Sequence, residues 1–226
     1  TFMPQSTIPV LTIDGPSGSG KGTVSRAVAR TLGWHFLDSG AIYRSLAIAV
    51  LRAEIPFEDE AAIVSLADSM DLSFTSDDPP KVFLNGEDIA SEIGKETTGN
   101  AASRVAQIGV VRKALLNKQL GFRKSPGLVA DGRDMGTVVF RDAPFKVFLT
   151  ASAEVRARRR LKQLKDKGLD VNLVSLTREI EERDRRDRER AEAPLTMAEG
   201  ALLVDSSDLD VQQVIARVLE WVHSKS

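Results

Sequence analysis

The chain has 226 residues, of which 42% are hydrophobic and 28% are charged, a length and composition that suit one folded domain and exclude a largely disordered chain. Lys and Arg number 31 against 32 Asp and Glu, so the overall charge gives no reason to expect a nucleic-acid partner. The sequence has no apolar run of the roughly 20 residues that span a membrane, so we expect no membrane partner. It has no cysteine, so we expect no disulfide. Because Thr1 to Pro9 show no export signal either, we expect a cytoplasmic location.

Five short apolar runs alternate with segments long enough to be helices. They are Val10–Asp14, Trp34–Asp38, Leu128–Asp131, Lys146–Thr150 and Leu202–Asp205. Short buried strands that alternate with helices predict an α/β fold, with a five-stranded parallel sheet covered on both faces.

A glycine-rich loop follows the first predicted strand and leads into a helix expected to begin near Gly20. The loop comprises Gly15, Pro16, Ser17, Gly18, Ser19, Gly20, Lys21, Gly22 and Thr23. Glycines let successive N–H groups point into one concavity, and the helix adds the positive end of its dipole, so we expect the loop to hold phosphate. Lys21 would reach the β- and γ-phosphates, and the Thr23 hydroxyl would approach Mg²⁺. The motif predicts nucleotide binding without distinguishing a kinase from an NTPase or a noncatalytic module.

Charged side chains follow three of the predicted strands, at the edge where open α/β sheets bind ligands. Asp131 either acts on Mg²⁺ through water or merely caps its strand, and Asp14 is the weaker metal candidate. Arg44 and Arg133 come from different strand ends. Two planar guanidinium groups suit the dianion of a phosphate monoester, so these arginines are candidates to bind one.

The pattern changes between about residues 55 and 99. Leu72–Thr75 and Val82–Leu84 are predicted strands, and Asn85-Gly86 tolerates the positive φ of a tight turn. From Glu54 to Glu96 there are twelve acids against two lysines. We interpret this segment as an inserted subdomain, which is either a solvated excursion or a direct part of substrate closure.

The segment from Arg156 to Arg190 has the opposite charge, with 13 basic residues and 8 acids. We expect two helices here, with a break near Lys167-Gly168, and Arg183, Asp187 and Arg190 are spaced to share one helical face. Such a face is usually only solvated. An enzyme that handles polyphosphate, however, needs mobile cations that close over it.

Several motifs together resemble bacterial-type cytidylate kinase, of the nucleoside monophosphate kinase family. They are DGPSGSGKGT, LDSGAIYR, NAAS, DGRDMGTVVF and ERDRRDRERA, and the resemblance runs from about Pro9 to Val222. Gly22 departs from the strict GK[ST] pattern but is similar to the GKGT loop common in that family. The resemblance implies a P-loop kinase core (9–54, 100–152, 192–226), an inserted monophosphate-binding subdomain (55–99) and a helical lid with flanking helices (153–191).

The resemblance also implies an activity, transfer of the γ-phosphoryl group of MgATP to CMP or dCMP to give ADP and CDP or dCDP. The implied acceptor-binding residues are Ser39, Tyr43, Arg44, Ser103, Arg112, Arg133, Asp134, Arg183, Asp187 and Arg190. Among them, Ser103, Arg112 and Asp134 would recognise the base. The implied catalytic residues are Lys21, Arg133, Arg156, Arg158, Arg159, Arg160 and Arg190. Which of the four arginines from Arg156 to Arg160 point toward ATP stays open.

Alternatives remain for single residues and for the activity. Tyr43 either lines the acceptor pocket or packs in the core with its hydroxyl at the surface. Without the resemblance, the face of Arg183, Asp187 and Arg190 would be assigned to solvent. His35 and His223 have no ligand-like setting and are expected to be structural. The rival activities are a kinase for UMP or AMP and a noncatalytic nucleotide-binding regulator. An acceptor screen would separate them, and the sequence makes no prediction about protein partners.

Overall fold

The computed structural model describes residues 7–226, apart from the side chain of Glu96. The expectation that Thr1 to Pro9 lack an export signal therefore falls mostly on residues 1–6, which lie outside the described residues. Within residues 7–226, no helix combines the length and apolarity that would let it cross a membrane.

Eight strands are found in the described part of the chain. They are β1 (Val10–Asp14), β2 (His35–Asp38), β3 (Leu72–Phe74), β4 (Val82–Leu84), β5 (Glu87–Asp88), β6 (Leu128–Gly132), β7 (Phe145–Thr150) and β8 (Leu202–Asp205). One sheet has the strand order β2-β6-β1-β7-β8, and a smaller sheet has the order β3-β4-β5. In the larger sheet β7 pairs in parallel with β1 and with β8. The predicted α/β fold with a five-stranded parallel sheet is confirmed.

Nine α-helices lie between and after these strands in residues 7–226. They are α1 (Lys21–Leu32), α2 (Ser39–Arg52), α3 (Glu60–Ser69), α4 (Ala90–Ile93), α5 (Glu96–Val105), α6 (Gly109–Leu120), α7 (Ala153–Asp166), α8 (Leu173–Glu189) and α9 (Val211–Ser224). One π-helical turn covers Met135–Val139. The predicted break near Lys167-Gly168 is confirmed, because α7 ends just before it and Gly168 adopts a φ of +75°.

The described chain forms two compact units. The first unit contains Thr7, Ile8 and Ala29–Ala130, and the second contains Pro9–Val28 and Asp131–Ser226. In the first unit α2 packs against α5, and α3 packs against α6. In the second unit β7 lies between β1 and β8, and α7 packs against α8. The division into core, inserted subdomain and lid that the resemblance implies stays a prediction.

The smaller sheet belongs to the predicted insert and lies within the first unit. β3 pairs antiparallel with β4, and β4 pairs antiparallel with β5. Asn85 and Gly86 join β4 to β5 with φ values of +51° and +81°, so the predicted tight turn is confirmed. β5 was not predicted, because its two residues, Glu87 and Asp88, are both acidic and exposed and give no apolar pattern.

The expected helical face of Arg183, Asp187 and Arg190 is wrong for its last member. α8 ends at Glu189, and Arg190 has extended backbone angles of φ −61° and ψ 141°. Pro194 follows closely and Ala193 has a φ of +48°. Proline disfavours the helical conformation at the preceding residue, so the helix cannot continue through this segment.

Candidate active site

The glycine-rich loop runs from the buried end of β1 into α1, which begins at Lys21. Gly15 has no room for a side chain, because an added Cβ would lie 1.9 Å from the carbonyl oxygen of Leu149. Gly20 adopts a φ of +92°, in the region that only glycine enters without strain. The tight curl of the loop therefore depends on glycine at these positions.

Two polar side chains of the loop, Lys21 and Ser19, have different environments. The Lys21 Nζ donates a hydrogen bond to the carbonyl oxygen of Pro16 at 3.1 Å, so this side chain is folded over the loop. The Ser19 hydroxyl is buried and has no hydrogen-bond partner among residues 7–226. A buried polar group without a partner is unfavourable, and a phosphate oxygen would supply one.

Asp131 lies at the end of β6 with its carboxylate beside the first turn of α1. An added Cβ on Gly22 would be 3.9 Å from the Asp131 Oδ2. Thr23 is exposed in the same helical turn. No cluster of three or more His, Cys, Asp or Glu side chains that could hold a metal ion occurs in the described chain. Mg²⁺ in kinases commonly takes one or two carboxylates together with substrate phosphates, and Asp131 and Thr23 fit that donor set.

Asp14, the weaker metal candidate, has both carboxylate oxygens engaged. Its Oδ1 accepts from the Met135 N–H at 2.9 Å, and its Oδ2 accepts from the Gly136 N–H at 2.8 Å. Burial raises the pKa of Asp14 to about 6, although the two backbone amides oppose the shift. These contacts disfavour a role in metal binding and connect the end of β1 to the segment that follows β6.

Arg133 and Asp134 lie in that segment, immediately before the π-helical turn. The Arg133 Nε donates to the Asp187 carboxylate of α8, and each of these side chains is 17% exposed. Asp134 is buried. An added Cβ on Gly136 would lie 2.9 Å from the Thr12 Oγ1. The segment therefore rests closely on β1.

The four arginines at the start of α7 have different environments. Arg156 is buried, donates to the carbonyl oxygens of Ala151 and Ser17 at 2.9 and 3.1 Å, and forms a two-point ion pair with Asp184 of α8. Arg159 donates to the hydroxyl and the carbonyl oxygen of Ser206 at 3.1 and 2.6 Å. These two guanidinium groups are engaged within the second unit.

The other two arginines of this group are exposed. Arg158 pairs with Glu154 one helical turn earlier at 2.5 Å, and both side chains are 63% exposed. No partner of the Arg160 side chain occurs in the described part of the chain. Arg183 is also exposed, and the Arg190 Nε donates to the Ala193 carbonyl oxygen at 2.6 Å. Among the predicted site residues of 153–191, the exposed arginines are Arg158, Arg160 and Arg183.

In the first unit, Ser39 and Arg44 lie on α2 and are held by other helices of that unit. The Ser39 hydroxyl is buried and donates to the Gln119 Oε1 of α6 at 2.8 Å. The Arg44 Nη1 donates to the Ile93 carbonyl oxygen at 2.8 Å. An added Cβ on Gly99 would be 3.4 Å from the Arg44 Nη2. Glycine on α5 therefore leaves room for this guanidinium group.

Tyr43 and Arg112 come together in the same unit. The Arg112 guanidinium carbon lies 5.3 Å from the centre of the Tyr43 ring, within reach of a cation–π interaction. Arg112 also donates to the Ala106 carbonyl oxygen at 3.1 Å. The Tyr43 ring packs against a cluster that contains Ala101 and Ala102. Ser103 is exposed on α5, one helical turn beyond Gly99.

Sequence reasoning missed the partners that hold these residues. Ser206 holds Arg159, Asp184 holds Arg156 and Gln119 holds Ser39, across 28 to 80 positions of sequence. No motif marks such pairs, because each depends on how distant elements pack. The sequence did place an acid, Asp14, at the end of the buried strand β1. This pattern indicated a weak metal ligand, whereas in the structure Asp14 is a hydrogen-bond acceptor.

Sequence comparisons with known proteins point to one family, and a solved structure shares the fold. The sequence pattern described as cytidylate kinase matches residues 11–224. The chain is 63% identical to the cytidylate kinase of Methylococcus capsulatus, over 97% of this chain and 99% of that one. It is 56% identical to the cytidylate kinase of Aeromonas salmonicida, over 99% and 97%. The crystal structure of TT1252 from Thermus thermophilus has a similar fold, with a TM-score of 0.52, 19% identity, and coverage of 96% and 97%.

Proposed function

The chain belongs to the cytidylate kinase family, and on this premise we propose how its own residues carry out the reaction. The activity is transfer of the γ-phosphoryl group of ATP to CMP or dCMP, which gives ADP and CDP or dCDP. Mg²⁺ dependence and a cytoplasmic location are part of the proposal.

One observation carries the placement of ATP. The glycine-rich loop curls between β1 and α1 with Lys21 folded over it, and it contains the buried Ser19 hydroxyl, which lacks a partner within residues 7–226. Backbone amides at a helix N-terminus favour a phosphate group. Lys21 binds the β- and γ-phosphates of ATP, and the Ser19 hydroxyl bonds to a phosphate oxygen.

The nucleoside monophosphate is held by residues that the first unit already orders. Arg44 binds its phosphate, because a planar guanidinium group matches the geometry of phosphate oxygens. Ser39 and Tyr43 line the acceptor pocket, and Ser103 and Arg112 recognise the base. Arg112 is suited to a base edge because its contacts with Tyr43 and Ala106 fix the orientation of the guanidinium plane.

Other proposed acceptor residues belong to the second unit. Arg133 binds the acceptor phosphate, with its Nε donating to Asp187 and its remaining N–H groups directed to phosphate oxygens. Asp134 recognises the base. Arg183 and Asp187 bind the sugar, and Arg190 binds phosphate.

Transfer is direct and in line, without a covalent enzyme intermediate. The acceptor phosphate is an adequate nucleophile near neutral pH, so no general base is assigned. Lys21 and the arginines offset the negative charge of the transferring group, and the protein positions the two reactants. Arg158 and Arg160 are the arginines of α7 with most freedom to close over ATP, and closure excludes water that would otherwise hydrolyse it.

Mg²⁺ would be held by Asp131 through water and by the Thr23 hydroxyl, together with the phosphates of ATP. Once bound, the ion supplies positive charge that offsets the charge of the phosphates. The buried position of Asp131 beside Gly22 supports this placement.

A coupled assay that follows ADP with each common monophosphate tests the function. We expect turnover with CMP and dCMP to exceed turnover with UMP or AMP at matched concentrations. ATP without an acceptor serves as the control for hydrolysis, and omission of Mg²⁺ tests its requirement. Faster use of UMP or AMP would contradict the acceptor assignment, and tight ATP binding without turnover on any acceptor would indicate a noncatalytic regulator.

A further inference from the structure

Asp14 joins the phosphate-binding loop to the segment that carries Arg133 and Asp134. It is the last residue of β1 and precedes Gly15, the first residue of the loop. Its carboxylate is 3% exposed and accepts one hydrogen bond at each oxygen, from the backbone N–H groups of Met135 and Gly136. These amides follow directly after Asp134.

A third hydrogen bond connects the same two stretches of chain. The Gly15 N–H donates to the Gly132 carbonyl oxygen at 3.3 Å. The start of the loop is therefore bonded to residues on both sides of Arg133 and Asp134. A shift of that segment away from β1 would have to break at least one of these bonds.

We propose that Asp14 is a positioning residue for phosphoryl transfer, which holds Arg133 and Asp134 in a fixed position relative to the phosphate-binding loop. The inference rests on the roles of Arg133 and Asp134 under the proposed function. In-line transfer depends on alignment of the reactants, and a displacement of about 1 Å can slow an enzyme by about 100-fold. Asp14 acts on the reaction through these residues and does not touch the reacting atoms.

The chemistry of the carboxylate makes it hard to replace. Each oxygen accepts one N–H, so asparagine of the same shape can satisfy only one of the two amides, and its own NH₂ group would face the other donor. Burial raises the pKa of Asp14 to about 6, with repulsion from Asp134 acting in the same direction and Lys21 opposing it. The carboxylate is buried, and both of its oxygens are held by backbone amides.

The test is Asp14→Asn, with steady-state kinetics for CMP, direct measurement of ATP binding, and circular dichroism to establish folding. We expect kcat to fall by about 100-fold, while the Kd for ATP changes by less than about threefold because the loop itself is intact. Ser25→Ala is the matched control in the same unit. Its hydroxyl is buried without a partner among residues 7–226, so its kinetics should stay within about twofold of the parent.

Three outcomes would overturn the inference. They are an unchanged kcat in folded Asp14→Asn, a parallel loss of ATP affinity, and an equal loss of kcat in Ser25→Ala. Arg133→Ala in the same assay separates this failure from that of the proposed function. If Arg133→Ala leaves CMP kinetics unchanged, the role of Arg133 is wrong, whereas a damaged Arg133→Ala beside a normal Asp14→Asn rejects only the role of Asp14.

If Asp14→Asn does not fold, amide hydrogen exchange of the parent protein tests whether Asp14 holds the segment. We expect the amides of Met135 and Gly136 to exchange as slowly as those of β1, because both donate to a buried carboxylate. Exchange at the rate of an exposed loop would show that Asp14 does not hold the segment in solution and would overturn the inference.

Discussion

Cytosine presents an amino donor at ring position 4, where uracil presents an oxygen acceptor. An ionised carboxylate can only accept, so Asp134 would bond to cytosine and repel uracil. Asp134→Asn keeps the shape and adds an amide donor that can turn toward the uracil oxygen. We expect the CMP:UMP ratio of kcat/KM to fall by the equivalent of about 1 to 3 kcal/mol, the usual contribution of one good base-edge contact.

The ratio is the diagnostic quantity for Asp134, because the absolute rates with both substrates are expected to decrease. Asp134 adjoins Arg133, and its replacement can disturb that side chain as well. Asp142→Asn is the matched control, since Asp142 is exposed later in the same connection. An unchanged ratio in folded Asp134→Asn would mean that this carboxylate does not recognise the base.

Asp14 predicts a pH dependence of stability that has the opposite sign to that of most carboxylates. Its pKa rises from 3.8 to about 6 on folding, chiefly through burial. Its contribution to the free energy of unfolding is therefore full below about pH 4 and is lost as the pH rises through about 6. Between pH 4 and pH 7, the stability of the parent relative to Asp14→Asn should decrease by up to about 3 kcal/mol.

Urea unfolding at several pH values measures this difference, and subtraction of the variant removes the contributions of the other titrating groups. Asp134 and Lys21 are the charged groups that act on Asp14, and both are present in parent and variant. A stability difference that stays constant from pH 4 to pH 7 would contradict a raised pKa at Asp14.

At the scale of elements, one buried ion pair joins α7 to α8. The side chains of Arg156 and Asp184 are 3% and 7% exposed, so removal of one partner leaves the other charge buried without compensation. Arg156→Ala and Asp184→Ala should each lower the free energy of unfolding by about 3 to 5 kcal/mol. The double variant should lose clearly less than the sum, because the two side chains contact each other.

Urea unfolding of the four proteins completes this cycle. Arg158→Ala is the control, because its pair with Glu154 is 63% exposed on both sides and should contribute no more than about 0.5 kcal/mol. If the double variant loses as much free energy of unfolding as the two single variants together, the Arg156 and Asp184 charges do not depend on each other. Arg156 also bonds to the Ser17 carbonyl oxygen, so its loss is expected to weaken ATP binding through the loop.

The elements that the sequence predicted are those whose pattern is local. β1 and β8 begin and end at the predicted residues, and Asn85-Gly86 forms the predicted turn. The glycines of the loop were predictable because their role follows from backbone geometry alone. The end of α8 before Arg190 was missed, because a helical spacing of charges continued past the point at which Ala193-Pro194 redirects the chain.

The candidate site was predicted less completely than the fold, for a physical reason. A motif identifies side chains that can bind phosphate, but it does not show which of them are already engaged by other protein groups. Arg156 and Arg160 are indistinguishable in the sequence, yet Arg156 is buried against Asp184 and Arg160 is exposed. Tertiary packing, which sets burial and partners, decides between a structural and a ligand-binding arginine.

At the scale of the whole molecule, the residues proposed to bind the donor phosphates lie in the second compact unit, and the proposed acceptor residues belong to both units. The glycine-rich loop and Lys21 belong to the second unit, whereas Ser39, Tyr43 and Arg44 belong to the first. A ligand that binds only the folded state raises the free energy of unfolding by about 2.7 kcal/mol at 100 times its Kd. Stabilisation by ATP and by CMP can therefore be measured separately on one protein.

Two single variants should remove these stabilisations selectively. Lys21→Ala is expected to lose phosphoryl transfer and most of the rise in Tm caused by ATP, while it keeps the rise caused by CMP, because Lys21 acts on the donor phosphates. Arg44→Ala should show the reverse, with the CMP effect reduced and the ATP effect retained. Lys162→Ala, which removes an exposed lysine of α7, is the control and should keep both. If Arg44→Ala loses only the ATP effect, the two substrate sites are exchanged.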